Sequence, residues 1–134
     1  PELRPTITAN NGTRIFNINA PSSVVRIENL RLTGGNTSGF GGAIQVQNGV
    51  NVQIEQVEAF SNTADQGGGA LAVINGSVVV LRSDFRNNAT AADGGSIYNA
   101  DDLSIERSSV RGSLDLSVAN EREAVYVTGG GTLS

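Results

Sequence analysis

A short motif that recurs at a nearly constant interval constrains this chain more than any other feature. The motif Gly41-Gly42-Ala43-Ile44 reappears 27 residues later as Gly68-Gly69-Ala70-Leu71, and 26 residues after that as Gly94-Gly95-Ser96-Ile97. Degenerate copies precede and follow these three. A single repeat of this length cannot bury an apolar face by itself, so neighbouring copies must stack on one another. The interval therefore predicts a solenoid of about five turns, each of about 27 residues.

Aligning the copies produces five columns of mostly apolar residues. The columns are Phe16, Ile44, Leu71, Ile97, Val125; Ile18, Val46, Val73, Asn99, Val127; Val25, Val52, Val78, Leu103, Leu133; Ile27, Ile54, Val80, Ile105; and Leu32, Phe60, Phe85, Val110. Within a copy these positions mostly alternate with polar residues, as in a strand with one buried face. The 17 Gly and 14 Asn residues supply the turns between strands.

We therefore predict an all-β chain that forms a right-handed parallel β-helix, with about three short strands per turn, over residues 1–134 as one segment. A propeller blade normally needs about 40 or more residues per repeat. The Leu/Asn spacing of a leucine-rich repeat is absent. The second copy carries about one extra residue on either side of Ile54, which indicates a bulge or a wider turn. Alternating apolar residues at 114–118 predict an inserted loop. Asn99 interrupts an apolar column and must find hydrogen bonds if it is buried.

Several absent residue types limit the chemistry available to this chain. It has no Cys and no His, and all nine basic residues are Arg. These absences exclude disulfides, thiolate metal sites, Schiff-base chemistry and the commonest general base. The net charge of −4 disfavours nucleic-acid binding, and no apolar run approaches the length of a membrane span.

The repeats resemble those of the polymorphic outer membrane protein family, whose paired signatures are GGAI and FxxN. The first motif is complete at Gly41-Gly42-Ala43-Ile44, and Phe85-Arg86-Asn87-Asn88 completes the second. Phe60-Ser61-Asn62-Thr63 departs at its last position, and Val110 replaces Phe in the fourth copy. The resemblance covers roughly residues 13–133. It implies an extracellular or bacterial cell-surface location, often in adhesins and autotransporter passengers, by analogy at the level of the fold.

The motifs also have a direct physical interpretation. A Gly pair lets the backbone turn sharply and approach the neighbouring turn of the helix, and the small residue after it fits a tight corner. The Phe fills the opposite corner of the core. The Asn residues that follow satisfy turn amides, and equivalent Asn side chains in successive turns can stack into a ladder.

The acidic residues near the turns are the first candidates for a site. Asp101-Asp102 occupies the place where Asn48-Gly49 and Asn75-Gly76 make turns, so we interpret it as a turn; the alternatives are a calcium site or a polysaccharide-cleaving site. Asp65 and Asp93 precede Gly motifs and are interpreted as solvated turn carboxylates, with a cation-binding ladder as the alternative.

An outward column of charged residues is the second candidate. Glu28, Glu55 and Glu106 fall in this column, which Leu81 interrupts. Arg26, Arg82 and Arg107 lie beside it and predict a salt-bridged face rather than a catalytic row of carboxylates. Arg82 and Arg107 also occupy equivalent positions in successive copies. We interpret them as partners of the glutamates, and the alternative is that they bind anionic sugars.

Two further stretches have features of interest. Val78 and Val80 are predicted to be buried, which leaves Val79 and Leu81 outside. Such an exposed apolar pair is common, and the alternatives are cover by the 114–118 loop or by a partner. Gly129-Gly130-Gly131 lacks the Lys and the following helix of a phosphate loop. We assign no catalytic, cofactor-binding or metal-binding residue.

The sequence thus favours a non-enzymatic extracellular rod that spaces, displays or adheres. The alternative is a carbohydrate-active β-helix, a lyase or hydrolase, which would need a groove lined by several carboxylates. A flat ice-binding face would need Thr columns, but Thr6, Thr8 and Thr13 do not recur at the repeat interval. Expected partners are a surface glycan or protein ligand.

The two ends of the chain carry a prediction of their own. Thr132-Leu133-Ser134 matches Asp102-Leu103-Ser104, and residues 5–8 resemble the remnant of a preceding strand. An open turn of a β-helix exposes unpaired backbone groups, as any sheet edge does. We therefore expect either a longer parent rod or head-to-tail self-association into a filament.

Overall fold

The computed structural model describes residues 4–10, 12–91, 95–111, 114–115, 125–127 and 132–134. Every regular element in these ranges is a β-strand, and every strand pairing is parallel. Nowhere in the described ranges does a helix long and apolar enough to cross a bilayer occur. The predicted all-β parallel β-helix is confirmed.

The strands stack into four parallel sheets that run along the axis of the solenoid. Sheet A contains β1 (Thr6–Thr8), β4 (Arg31–Thr33), β8 (Glu58–Phe60), β12 (Asp84–Arg86) and β16 (Ser109–Arg111). Sheet B contains β2 (Phe16–Ile18), β6 (Ile44–Val46), β10 (Leu71–Val73), β14 (Ile97–Asn99) and β18 (Val125–Val127). Sheet C contains β3 (Val24–Glu28), β7 (Val50–Glu55), β11 (Gly76–Leu81), β15 (Asp102–Glu106) and β19 (Thr132–Leu133). Sheet D contains β5 (Asn36–Thr37), β9 (Thr63–Ala64), β13 (Ala89–Thr90) and β17 (Leu114–Asp115).

Each turn passes through sheets B, C, A and D in that order, so a turn has four strands rather than the predicted three. The fourth strand was missed because its members have only two residues, too few to show a period of two. Four turns are complete, from β2 to β17, with β1 before them and β18 and β19 after them. Residues 114–115 form the last strand of sheet D, whereas residues 116–118 of the predicted loop lie outside the described residues.

Four of the five predicted columns are confirmed by the strand register. Ile44, Leu71 and Ile97 are partners in sheet B and are fully buried, as are Ile54 and Val80 in sheet C. Asn99 is buried in the second column, where its side-chain oxygen accepts a hydrogen bond from the amide of Asp101. The buried Asn is therefore satisfied, as the sequence required.

The fifth column is wrong at one position. Ala59, not Phe60, is the partner of both Leu32 and Phe85, and Ala59 is fully buried. Phe60 lies on the outer face of sheet A, where its ring contacts the guanidinium of Arg86 at 4.6 Å. The hydrophobicity of Phe suggested an inward side chain, but the register of the neighbouring strands places the smaller Ala in the core.

The same correction removes one of the two predicted extra residues around Ile54. Four residues lie between Ile54 and Ala59, and four lie between Val80 and Phe85, so the two connections have equal length. The extra residue before Ile54 is confirmed as a wider turn after β6. Asn48 and Gly49 both adopt positive φ angles there, 64° and 75°.

A ladder of buried asparagines follows sheet A, as predicted. Asn62 and Asn88 are fully buried, and the side-chain oxygen of Asn88 accepts hydrogen bonds from both the backbone and side-chain nitrogens of Asn62. Asn62 in turn accepts from the amide of Gly35 at 2.9 Å. These bonds link three successive turns and satisfy backbone groups that the sheets leave unpaired.

The Gly motif fits its predicted role at the corner between sheets D and B. Gly41 and Gly68 have φ angles of 67° and 64°. A side chain on Gly42 would overlap the backbone oxygens of Thr63 and Gly69, because the neighbouring turn approaches this closely.

Candidate functional site

The predicted column of outward glutamates is present on sheet C. Glu28 is the partner of Glu55, and Leu81 separates Glu55 from Glu106. Arg82 holds Glu55 at 2.8 Å, and Arg26 lies 3.6 Å from Glu28. The predicted salt-bridged face is confirmed for these two pairs.

Arg107 does not join this network. It follows β15 at the position where Arg82 follows β11, and both residues have left-handed φ angles, 49° and 46°. The amide of Arg82 donates to the carbonyl of Glu106, so the two turns are stacked. Arg107 is exposed and makes no ion pair with any described residue.

A larger charged network, which the sequence did not reveal, covers the outer face of sheet A. Glu58 on β8 contacts three arginines: Arg31 at 2.9 Å, Arg4 at 3.1 Å and Arg86 at 3.1 Å. The Nε of Arg4 is buried and makes no hydrogen bond within the described residues. Three cations therefore surround one carboxylate.

Asp84 on β12 is the second anchor of this network. Arg86 approaches it at 3.2 Å and Arg111 at 3.1 Å, and the hydroxyl of Ser109 donates to it at 2.7 Å. Because Glu58 and Asp84 are register partners, Arg86 bridges both carboxylates across two turns.

The arginines control the protonation of both carboxylates. Burial acts to raise the pKa of Glu58, but the hydrogen bonds and charges of Arg31 and Arg86 outweigh burial, so this pKa lies below its ordinary value. Burial likewise acts to raise the pKa of Asp84, but Arg111, Ser109 and Arg86 outweigh it and lower the pKa. Both groups are therefore ionised at neutral pH.

A polar cleft of about 570 Å³ lies beside this network, where sheet C turns into sheet A. Its lining comes from Arg4, from residues 82–84 and 107–109, and from Glu58. Two hydroxyl oxygens in its lining accept hydrogen bonds from backbone amides. Ser83 Oγ accepts from the amide of Val57, and Ser108 Oγ accepts from the amide of Ser83. We call this feature the arginine cleft.

The charge of the arginine cleft differs from that of the whole chain. Six of the nine arginines line the cleft or the adjoining face of sheet A, namely residues 4, 31, 82, 86, 107 and 111. Four carboxylates lie among them, Glu55, Glu58, Asp84 and Glu106. The other three arginines accompany nine acidic residues. The sequence carries a net charge of −4, yet this face is positive.

The predicted turn position is confirmed for Asp101 but not for Asp102. Asp101 lies in the turn before β15 and accepts a hydrogen bond from the amide of Gly76 at 2.7 Å. Asp102 is instead the first residue of β15, where it accepts a hydrogen bond from the hydroxyl of its register partner Ser77 at 3.1 Å. Asp65 is exposed, and Asp93 lies outside the described residues. Among the residues that the structure describes, no three acidic side chains come together as a metal site would require.

The apolar face of β11 also follows the prediction. Val78 and Val80 are buried, whereas Val79 and Leu81 point outward and are half-buried. Val79 borders a depression on sheet C that also includes Val24, the one exposed large apolar residue in the described ranges. Residues 129–131, the Gly-rich stretch, lie outside the described residues.

The sequence does not predict the network on sheet A, because the hydrophobicity of Phe60 suggests that Phe60, one residue after Ala59, points inward. With Ala59 inward, Arg31, Glu58, Asp84 and Ser109 form one outward column, and Thr33, Phe60, Arg86 and Arg111 form the next. Two adjacent carboxylates in one outward column, next to two adjacent arginines in the neighbouring column, are the signal that reveals the network once the register is known.

Comparisons with protein-family models, with curated proteins and with solved structures found no match to this chain.

Proposed function

We propose that this chain is a non-enzymatic structural and adhesive rod segment that works outside the cell or on a bacterial cell surface. The observation that carries the proposal is the outer face of sheet A, where charged side chains are locked to one another across successive turns. Such a surface supports a rigid scaffold, because each cross-turn ion pair adds a side-chain contact between two turns whose backbones are already hydrogen-bonded. The resemblance to polymorphic outer membrane protein repeats supports the location.

The corrected register changes how one copy of the second motif is matched. Asn62 is equivalent to Asn88, so Ala59-Phe60-Ser61-Asn62 aligns with Phe85-Arg86-Asn87-Asn88. The FxxN pattern thus keeps its Asn in both turns and loses its Phe in one. We propose membership of that family on this basis.

The alternative function, a polysaccharide lyase or hydrolase, receives less support. A glycosidase needs one carboxylic acid whose pKa is raised so that it can donate a proton. The two carboxylates of the arginine cleft have lowered pKa values instead. We expect no turnover of polysaccharides by this chain, and therefore no turnover that substitution of Asp101 or Asp102 by Asn could abolish.

Surface labelling of intact cells of the source organism tests the location. We expect an antibody against this chain to bind intact cells, and brief protease treatment of those cells to remove the signal. Detection only after permeabilisation would contradict the proposal. Release of new reducing ends from a panel of polysaccharides by the purified chain would contradict its non-enzymatic part.

We also propose that turns of this helix continue head to tail, through further chain or through a second copy. Phe16, Val25 and Leu30 are only partly buried at the first turn and border an apolar depression of about 390 Å³. Stacking another turn there would pair β2 and β3 and cover these side chains. Sedimentation of the purified chain as a monomer at every concentration, with no association, would contradict self-assembly.

A further inference from the structure

We propose that the arginine cleft binds an acidic polysaccharide, with the guanidinium groups of Arg82 and Arg107 as its main contacts. This inference rests on the proposed extracellular function and names the ligand class for its adhesive part. The ligand is defined by anionic groups, carboxylate or sulfate, carried at intervals along an extended chain.

The distribution of charge supports an anionic ligand. The face that includes the cleft carries six arginines against four carboxylates, Glu55, Glu58, Asp84 and Glu106, whereas the remainder of the sequence is strongly acidic. Arginines already hold Glu55, Glu58 and Asp84, which reduces the repulsion of an incoming anion by these carboxylates. A guanidinium group presents donors in a planar fork that matches carboxylate and sulfate oxygens.

The availability of the two arginines supports direct contact. Arg107 is exposed and forms no ion pair with a described residue, so its guanidinium group is accessible to a ligand. The Arg82 side chain is 49 % exposed even while it contacts Glu55. A single solvent-exposed ion pair contributes little to stability, so a ligand can replace it at small cost.

The shape of the cleft supports a polymer rather than a single small anion. Its lining comes from successive turns, with Glu58, then residues 82–84, then residues 107–109. Neighbouring parallel strands lie about 4.8 Å apart, so Arg82 and Arg107 offer cations at that interval along the solenoid axis. A linear glycan with charges on its sugar units can contact both in one extended pose.

Duplex DNA fits these observations less well. Its charge is dense and extends far beyond a cleft of this size, so it would meet the nine carboxylates that lie elsewhere in the sequence. An acidic polysaccharide is narrower and carries fewer charges per unit length.

Biolayer interferometry on the immobilised full chain tests the inference with four probes: polygalacturonate for carboxylates, dextran sulfate for sulfates, neutral dextran and duplex DNA. We expect binding to one or both acidic glycans, none to neutral dextran, and weakening as NaCl is raised. The relative affinity for polygalacturonate and dextran sulfate identifies the anionic group. Equal or tighter binding of DNA would overturn the assignment to a polysaccharide.

Charge-neutralising variants locate the site. We expect Arg107→Gln to weaken binding at least fivefold and the Arg82→Gln/Arg107→Gln double variant at least tenfold. Arg26→Gln is the matched control, because Arg26 is an exposed arginine on the first turn, away from the cleft. It should change affinity less than twofold. Equal losses in the control and the double variant would show that net charge alone acts, and would overturn the inference.

The result is separable from the proposed function. Surface labelling with no binding of either acidic glycan would leave the extracellular rod standing and refute the arginine cleft as a glycan site. Glycan binding that depends on Arg107, by a chain found only inside cells, would refute the proposed location and leave the cleft standing.

Discussion

Replacing Phe85 with Ala should destabilise the chain far more than replacing Phe60 with Ala. Phe85 is fully buried between Ala59 and Val110 of the adjacent turns. The methyl group of Ala59 cannot fill the space that the lost ring would leave, so we expect a cost of about 3–5 kcal/mol, as for other Phe→Ala changes in cores. Phe60 lies outside and would lose mainly its contact with Arg86, worth about 0.5–1 kcal/mol.

Urea denaturation followed by far-ultraviolet circular dichroism measures both changes, since the chain has no Trp for fluorescence. With an m-value of about 2 kcal/mol/M, Phe85→Ala should lower the midpoint by about 2 M and Phe60→Ala by about 0.5 M or less. Unchanged m-values would show that the shifts in midpoint reflect lost stability and not a change in the compactness of the unfolded state. Equal midpoints for the two variants would refute the register, because that result requires Phe60 to be as buried as Phe85.

Three further predictions address the turns and the charged face. Asn88→Ala should cost about 2–4 kcal/mol in urea denaturation, because it leaves the buried amide of the preceding turn without an acceptor; a loss below 1 kcal/mol would contradict the buried ladder. Gly69→Ala should cost about 3 kcal/mol or more, since its Cβ would lie 2.5 Å from backbone atoms of the next turn. Gly49→Ala, whose Cβ meets nothing closer than 3.7 Å, should cost only about 1 kcal/mol for its positive φ, and equal melting temperatures for the two would exclude the clash. The folded pKa values of Glu58 and Asp84 lie below their unfolded values of about 4, so their stabilisation is present above pH 4 and is lost as the pH falls through the folded pKa values. Denaturation midpoints measured from pH 7 to pH 2 should therefore fall less steeply for Glu58→Gln/Asp84→Asn, and identical slopes would contradict the lowered pKa values.

The repeat interval and the columns of sheets B and C were predictable from the sequence. In most strands of these sheets the inward positions are Ile, Leu or Val and the outward ones are polar, so alternation favours one choice of face. The Gly motif fixes the phase of each turn, since Gly42 lies where no side chain fits. Stacking then follows, because an apolar face of one turn is buried only by its neighbours.

Only the tertiary structure decided the face of sheet A. A shift of one residue turns every side chain of a strand to the opposite face, and in β8 both Ala59 and Phe60 are apolar candidates for the inward position. Hydrophobicity alone favoured Phe60. The backbone ladder to the adjacent turns and the buried Asn62–Asn88 bond outweigh that preference, because unpaired amides in the core cost more than an outward ring. That one choice brings Glu58 and Asp84 into the same outward column and creates the charged face beside the arginine cleft.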